Sequence, residues 1–320
     1  MNLLMKALLA GLSHQGADAR LSILIFHRVL PEPDPLFPGE ITAPGFEQIC
    51  RWLADWFNVL PLDEAALQLQ QRRLPSRALA ITFDDGYADN RTVAGPLLKR
   101  HGLPCTFFVA TGFLDGGRMW NDTLIETVRR APGPTLDLRD LAPDLGELPL
   151  RDIEARRRAV QRLIMHCKYL PPLQRQALVD DIAGRTCAAL PDDLMMTSEQ
   201  LRELHGMGMQ VGAHTVNHPI LARLPREQAR AEILQSKQRL ESIVGAPVTL
   251  FAYPNGKPGE DYSPESVALA RECGFAAAVS TSPGVSNRHT DLFQLRRFTP
   301  WDRDRLRFGL RMARNLATQG

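Results

Sequence analysis

The stretch LAITFDDGYADN, residues 79–90, joins a short apolar run to two adjacent aspartates and a glycine. The apolar residues fit a strand that is buried on both faces, as the strands of a parallel sheet are. Nothing in such a strand requires Asp84 and Asp85 at its end. The two carboxylates therefore raise the question of a functional site at the edge of the core.

Other apolar runs of the chain also end in polar or glycine-containing turns, and segments with helical periodicity lie between them. This alternation predicts βα units, which form a parallel sheet flanked by helices. The predicted strands are residues 21–26, 78–83, 105–110, 210–213, 249–252 and 276–280, and the helical segments include 46–57, 92–101, 226–244 and 264–273.

One region interrupts this alternation. Residues 112–191 contain helical patterns at 122–130, 153–168 and 173–190 and no convincing strand, so they predict a helical insertion after the third strand. We expect an N-terminal helix or leader over residues 1–20, a main domain over 21–300 that includes the insertion, and a C-terminal helix within 301–320.

The composition excludes several classes of protein. The chain is 44% hydrophobic and 23% charged, and no apolar run approaches the roughly 18 residues of a membrane span. Lysine and arginine total 38 against 36 acidic residues, so charge gives no reason to expect a nucleic-acid partner. The five scattered cysteines predict free thiols in a reducing compartment.

The N-terminus leaves two interpretations open. Lys6, the apolar residues 7–12 and the triplet at 17–19 imitate a secretory signal peptide, but the apolar part is shorter than the ~7–15 residues that such a signal needs. We favour a short amphipathic helix on the domain or on a membrane surface, hence a cytoplasmic or peripheral membrane location. A signal peptide, with a secreted or periplasmic location, is the alternative.

Polar residues also follow the later strands. His214 and His218 come after residues 210–213, and the segment 253–256 follows 249–252. The carboxyl ends of parallel barrel strands meet on one face, so these groups should converge with the two aspartates. Two histidines and one carboxylate form a three-ligand site of the catalytic zinc type, and the second carboxylate can then accept a proton from water. The alternative is a plain DDG turn with unrelated surface histidines.

TFDDG at 82–86 and HTVNH at 214–218 together resemble the paired signature of the polysaccharide deacetylases, metal-dependent carbohydrate esterases with the NodB homology domain. The resemblance implies an irregular (β/α) barrel of about seven strands. It implies that Asp84 is the catalytic base and that Asp85, His214 and His218 hold one divalent ion. Zinc is the ion we expect first, with cobalt, nickel and manganese as alternatives.

Two features depart from most of that family. The third motif reads AYPNG at 252–256, without the usual arginine and motif tyrosine, and no catalytic histidine motif lies near the C-terminus. Both departures resemble the branch that deacetylates poly-N-acetylglucosamine, in which a histidine on the first strand is the acid and an arginine lies on a late strand. That resemblance assigns these roles to His27 and Arg297, although His27 as a lone structural histidine stays open.

Further residues are candidates for the substrate site. Backbone amides near Tyr87 or Asn255 would stabilise an oxyanion, and Tyr253 belongs to the altered third motif. Trp120 and Asn121 suit a sugar ring, but packing beside a helix that Asp122 caps explains them equally simply.

The sequence thus predicts a hydrolase that removes N-acetyl groups from a polysaccharide containing N-acetylhexosamine. The alternatives are a polysaccharide O-acetyl esterase and a carbohydrate-binding protein without turnover. We expect a polysaccharide or oligosaccharide substrate, no nucleic acid, and a membrane surface or a polysaccharide-export assembly as the candidate wider partner.

Overall fold

The computed structural model describes residues 2–300 and 302–318. The described residues form two compact units, each with its own hydrophobic core. The first unit takes its residues from 1–31, 41–114 and 196–320, and the second consists of 32–40 and 115–195.

The first unit is built on a parallel sheet of seven strands. The strands are β1 (Ser22–Phe26), β2 (Asn58–Val59), β3 (Ala78–Phe83), β4 (Thr106–Val109), β7 (Gln210–Ala213), β8 (Leu250–Ala252) and β9 (Ala277–Val279). Strands β1, β3, β4, β7, β8 and β9 pair in that order, and β2 pairs with the first residues of β3. The predicted (β/α) barrel is confirmed, and all six predicted strands lie within one residue or so of their expected places.

Residues 295–298 close this sheet into a barrel. Leu295 donates its backbone N–H to Ala278 on β9, and Phe298 donates to Ile23 on β1. Bridges from Leu295 to Val279 and from Phe298 to Leu24 are both parallel. The segment therefore lies between the first and the last strand, where it leaves neither with an unpaired edge.

Helices of the first unit pack outside the sheet. They are α1 (Asn2–Ser13), α2 (Ala43–Trp56), α3 (Leu62–Gln70), α4 (Gly95–Arg100), α8 (Ser198–Gly206), α9 (Arg226–Val244), α10 (Pro264–Glu272) and α11 (Arg305–Ala317). A capping box begins α8, since the Thr197 hydroxyl accepts from the Gln200 N–H and the Gln200 side chain accepts from the Thr197 N–H. No helix among the described residues is long and apolar enough to cross a membrane.

Side chains alternate between two cores along each strand. On β3, Ala78 and Ala80 belong to the cluster inside the barrel, while Leu79, Ile81 and Phe83 belong to the cluster beneath the helices. Because successive side chains point to opposite faces, Thr82 and Asp84 continue the inner row. The inner row thus changes from apolar to polar towards the carboxyl end of the strand.

The second unit is mainly helical, with α5 (Trp120–Arg130), α6 (Ile153–Cys167) and α7 (Pro172–Thr186). The expectation that this region has no strand is wrong, because β5 (Thr135–Asp137) and β6 (Glu147–Pro149) form an antiparallel pair. Each strand has three residues with one buried side chain, too few for alternation to be recognised. Asp122 lies within α5, whose N-cap is Met119, so the predicted cap at Asp122 is also wrong.

Gly212 provides a test of packing inside the barrel. It lies directly opposite Phe108 in the β4–β7 register, and a Cβ at Gly212 would overlap the Phe108 ring. Gly212→Ala should therefore lower the free energy of unfolding by about 1–3 kcal/mol, measured by urea denaturation. The control Gly206→Ala meets nothing within 4 Å and should cost nothing. Equal stability of both variants would contradict this packing.

Candidate active site

Three predicted residues meet because they share the inner face of the barrel. His27 follows Ile23 and Ile25 at steps of two on β1, Asp84 follows Thr82, and Arg297 follows Leu295 in the closing segment. The Asp84 N–H donates to the carbonyl of Phe26 at 2.9 Å, which places His27 beside Asp84 in the β1–β3 register. The predicted neighbourhood of the first strand and the DDG strand is therefore present.

Asp84 forms a buried, two-pronged ion pair with Arg297. Arginine Nη1 lies 2.7 Å from Oδ1 and Nη2 lies 2.8 Å from Oδ2. The same guanidinium donates through Nε to the carbonyl of Ser280 at 2.9 Å and through Nη1 to the Thr82 hydroxyl at 3.2 Å. Such a planar fork fixes the orientation of the carboxylate as well as its charge.

The charge of Asp84 is maintained by this pair. Burial is the largest single effect and disfavours the ionised carboxylate, but the Arg297 guanidinium, His214 and His27 together outweigh burial, so that the pKa of Asp84 lies below its usual value. Asp84 is thus an anion at neutral pH even though only 3% of its surface is exposed.

Asp85, His214 and His218 come together beside this pair. One Asp85 oxygen lies 3.5 Å from Nε2 of each histidine, and one potential ligand atom from each residue lies within 4.8 Å of the others. These oxygen–nitrogen distances are longer than those of most hydrogen bonds. They match the spacing of tetrahedral ligands, which lie about 3.4 Å apart when each is ~2.0–2.2 Å from one ion. The three side chains therefore fit a zinc-type ion.

The three side chains have different electrostatic settings. The Nδ1 atom of His214 lies 2.8 Å from the carbonyl of Ala252, which suits an N–H donor at Nδ1 and directs Nε2 towards Asp85. Burial opposes the charged ring of His214, but the carboxylates of Asp84 and Asp85 outweigh burial and raise the pKa of His214. Burial lowers the pKa of His218 to about 4, so that its ring is neutral at pH 7. Burial also opposes the charge of Asp85, but the histidines outweigh it and hold the pKa of Asp85 well below its usual range.

Unusual backbone conformations direct the ligands. Asp85 has φ of 77°, a left-handed value that interrupts the strand alternation and keeps its carboxylate beside Asp84. Gly86 follows with φ of 90°, and a Cβ there would lie 2.8 Å from a Val109 methyl group. His218 also has a left-handed φ, 52°. Non-glycine residues rarely adopt such values, and they are found preferentially at functional sites.

Glu232 on α9 holds the loop between the two histidines. Its carboxylate accepts hydrogen bonds from the backbone N–H groups of Val216 and Asn217 at 2.9 and 2.8 Å, and from the Asn217 side chain at 2.7 Å. Sequence reasoning missed this residue because a glutamate inside a helix carries no local signal of a partner in a distant loop.

His27 stands at the open side of the cluster. Its side chain is exposed, and it contributes electrostatically to lowering the pKa values of both aspartates. Two residues after the DDG motif bind residues 27–29. The Asn90 side chain donates to the His27 carbonyl at 2.9 Å, and the Asp89 carboxylate accepts from Arg28 Nε at 2.7 Å and from the Val29 N–H at 3.1 Å.

Other predicted site residues lie elsewhere. The Tyr253 side chain is fully buried, stacks on Tyr262 and donates to the carbonyl of Phe293, so the predicted part of Tyr253 in the substrate site would fall to its backbone and stays a prediction. Tyr253 lies on the same face of the strand as Phe251, in the core beneath the helices. The spacing of two residues between them already predicts this shared face. The Tyr87 ring is also buried, with the Arg28 guanidinium 4.6 Å from its centroid.

Asn255 is exposed at the end of β8 with φ of 58°, where its amide can reach a ligand. Trp120 and Asn121 belong to the second unit, in which the Arg175 guanidinium lies 4.8 Å from the Trp120 ring. Their role in sugar binding stays a prediction, as does that of the backbone amide of Tyr87.

The sequence model of the polysaccharide deacetylases matches residues 71–132 and 177–278. These two segments include both β3, which Asp84 follows directly, and the loop that carries His214 and His218. The chain belongs to the polysaccharide deacetylase family, and it is therefore assigned to the deacetylase hydrolases, with a polysaccharide as substrate class.

Several known proteins are similar to this chain. YxkH of Bacillus subtilis (strain 168), whose name places it among the polysaccharide deacetylases, is 24% identical over 281 residues, which cover 87% of this chain and 71% of YxkH. IcaB from Ammonifex degensii shares the fold with a TM-score of 0.60 and 21% identity over 95% of this chain and all of IcaB. The Streptococcus pyogenes deacetylase PplD, solved in complex with acetate, gives a TM-score of 0.58 and 19% identity over 88% of this chain and 92% of PplD.

The support from Glu232 can be tested through metal affinity. Glu232→Gln places an amide group where a carboxylate accepts three hydrogen bonds, so the loop before His218 should loosen. We expect the affinity for Zn²⁺ to fall about 10- to 100-fold, measured by competition with a chromophoric chelator. Glu227→Gln, exposed on the same helix, should keep the parent affinity. Equal affinities would show that Glu232 does not support the ligands.

Proposed function

We propose that the protein is a metal-dependent deacetylase that hydrolyses N-acetyl groups of a polysaccharide containing N-acetylhexosamine. The observation that carries this proposal is the arrangement of two buried carboxylates in different electrostatic settings. Asp84 is matched by the permanent cation of Arg297, whereas Asp85 faces two histidines. One carboxylate is therefore suited to proton transfer and the other to metal ligation.

Asp85, His214 and His218 would hold the ion. When bound there, a zinc-type ion supplies Lewis acidity, which polarises the acetyl carbonyl and increases the acidity of water. Binding would also balance the negative charge of the buried Asp85 carboxylate, which lies 3.5 Å from Nε2 of both histidines.

Asp84 would act as the general base. Its two oxygens each accept one hydrogen bond from Arg297, and each oxygen retains a second lone pair. An anionic carboxylate with a fixed orientation can take a proton from the attacking water as the bond to the acetyl carbon forms. A protein that only bound carbohydrate would need no such oriented base.

His27 would act as the general acid. An amine is a poor leaving group unless it gains a proton as the carbon–nitrogen bond breaks. His27 is exposed beside Asp84 in the register of β1 and β3, where a substrate could contact both residues. An ester needs such an acid less than an amide does, so an acid at this position favours N-acetyl groups over O-acetyl groups as the substrate.

The substrate assignment is supported by the family and by the pattern of motifs. The polysaccharide deacetylase family implies a polymeric sugar, and IcaB and PplD share the fold of this chain. The first-strand histidine and the late arginine resemble the poly-N-acetylglucosamine branch, which suggests N-acetylglucosamine oligomers as the first substrates to assay.

Replacing the base should separate catalysis from metal binding. In Asp84→Asn the amide cannot accept the proton of water, whereas the three ligand side chains are unchanged. Acetate release from N-acetylglucosamine oligomers should fall by roughly 10² or more, with little change in Zn²⁺ affinity measured by calorimetry. Asp63→Asn, on the exposed surface of α3, should keep both properties. Parallel loss of metal and activity would instead make Asp84 a ligand.

Replacing the acid should depend on the leaving group. His27→Ala should reduce acetate release from N-acetylglucosamine oligomers about 10²-fold or more, but should reduce hydrolysis of an activated aryl acetate much less, because that group departs without a proton. His289→Ala, an exposed histidine outside the site, serves as the control. Equal losses on both substrates would assign His27 a structural role.

A further inference from the structure

Two helices of the first unit pack against each other outside the barrel. A Cβ on Gly309 of α11 would lie 2.5 Å from the terminal methyl of Met5 on α1, so the helices approach closely there. One turn earlier on each helix, the side chain of Arg305 donates to that of Asn2. The residue numbers of the contacting residues increase together, from Asn2 with Arg305 to Met5 with Gly309, so the two helices run parallel.

Each helix exposes a pair of leucines on the same side of this contact. Leu4 and Leu8 stand at positions −1 and +3 relative to Met5, and Leu306 and Leu310 stand at −3 and +1 relative to Gly309. At about 100° per residue, the α1 leucines lie roughly 60–100° to one side of Met5, and the α11 leucines lie roughly 60–100° in the opposite rotational sense from Gly309. Because the two parallel helices face each other along the line from Met5 to Gly309, these opposite rotations bring both pairs of leucines to the same side of the helix pair. We call these four residues the leucine strip.

The leucine strip is exposed rather than packed. Leu4, Leu8, Leu306 and Leu310 are 78%, 44%, 48% and 51% exposed, and Leu3 adds a further side chain at 84%. The adjacent faces, with Met5 and Leu9 on α1, are buried and already anchor the helices. Of ten large hydrophobic side chains exposed among the described residues, five lie on these two helices of 12 and 13 residues. Such concentration marks an interaction surface.

The two helices themselves carry only positively charged side chains. Helix α11 contains four arginines and no acidic residue, and α1 contains Lys6 and no acidic residue. Arg305 and Arg311 are paired with Asp55 and Asp302. Arg307 and Arg314 are exposed, and the described residues offer no carboxylate to their side chains. Leucines flanked by unpaired arginines are complementary to the surface of an anionic bilayer.

The carboxyl ends of both helices lie at the amino ends of barrel strands. The Ser13 hydroxyl at the end of α1 accepts from the N–H of Arg77, directly before β3. Arg20, just before β1, donates to the carbonyl of Leu316 at the end of α11. Asp84 and His214 follow the opposite, carboxyl ends of their strands.

We propose that the leucine strip, with Arg307 and Arg314, docks the barrel reversibly on an anionic membrane surface. The leucines enter the boundary between head groups and acyl chains, and the arginines contact lipid phosphates. The strand ends that carry Asp84 and His214 then face away from the bilayer, so a polysaccharide reaches them from the aqueous side.

Vesicle co-sedimentation of the full chain tests this proposal. Wild type should bind vesicles of phosphatidylglycerol and phosphatidylcholine and should bind pure phosphatidylcholine far less. Leu306→Ser with Leu310→Ser should weaken binding roughly tenfold or more per leucine, because the apolar contact is lost. Arg307→Gln with Arg314→Gln should weaken it about fivefold per arginine, with the difference shrinking at high salt. Leu67→Ser is the matched control, since Leu67 on α3 is also 51% exposed and should be replaceable without effect.

A second pair of variants, on α1, tests whether both helices contribute to membrane binding. Leu4→Ser with Leu8→Ser on α1 should weaken binding as the α11 pair does, while thermal unfolding shows that each variant is folded. Failure of wild type to bind anionic vesicles, or binding by the folded leucine variants at the wild-type level, would overturn the proposal. So would a dimer in analytical ultracentrifugation that the leucine variants dissociate, since a second copy would then occupy the strip.

Discussion

The buried pair between Asp84 and Arg297 joins the closure of the barrel to its chemistry. One guanidinium contacts the end of β3 through Asp84 and the residue after β9 through the Ser280 carbonyl, and it is itself part of the closing segment. Either charge alone would be costly to bury, so each requires the other in place. The closed barrel and the ionised state of Asp84 therefore depend on the same contact.

The floor of the site is apolar, and this strengthens the interactions above it. Along β3 the inner row runs from Ala78 and Ala80 to Thr82 and Asp84, and Phe108 opposite Gly212 fills the interior beside them. Close packing keeps water out beneath the polar layer, and ion pairs and hydrogen bonds are stronger in such surroundings. The apolar layers thus position the carboxylates and also set their electrostatic environment.

The neighbouring loops keep conformations that would be unfavourable in isolation. Asp85 and His218 are held with left-handed backbone, and contacts from other elements offset the cost. Glu232 binds the loop before His218 from α9, and Asn90 binds the carbonyl of His27. The ligand and acid candidates are thus fixed by residues that touch no reacting atom, so changes at those supporting residues should be felt at the site.

The sequence by itself determined six strands, the order of βα units and the residues at their carboxyl ends, because apolar periodicity and turn residues are local properties. It did not determine β2 or the β5–β6 pair, since strands of two or three residues are too short for a period. The burial of Tyr253 against Tyr262, the capture of the loop by Glu232 and the exposure of leucines on α1 and α11 also required the tertiary structure. Each depends on which distant element packs against a side chain, and local sequence carries no record of that neighbour.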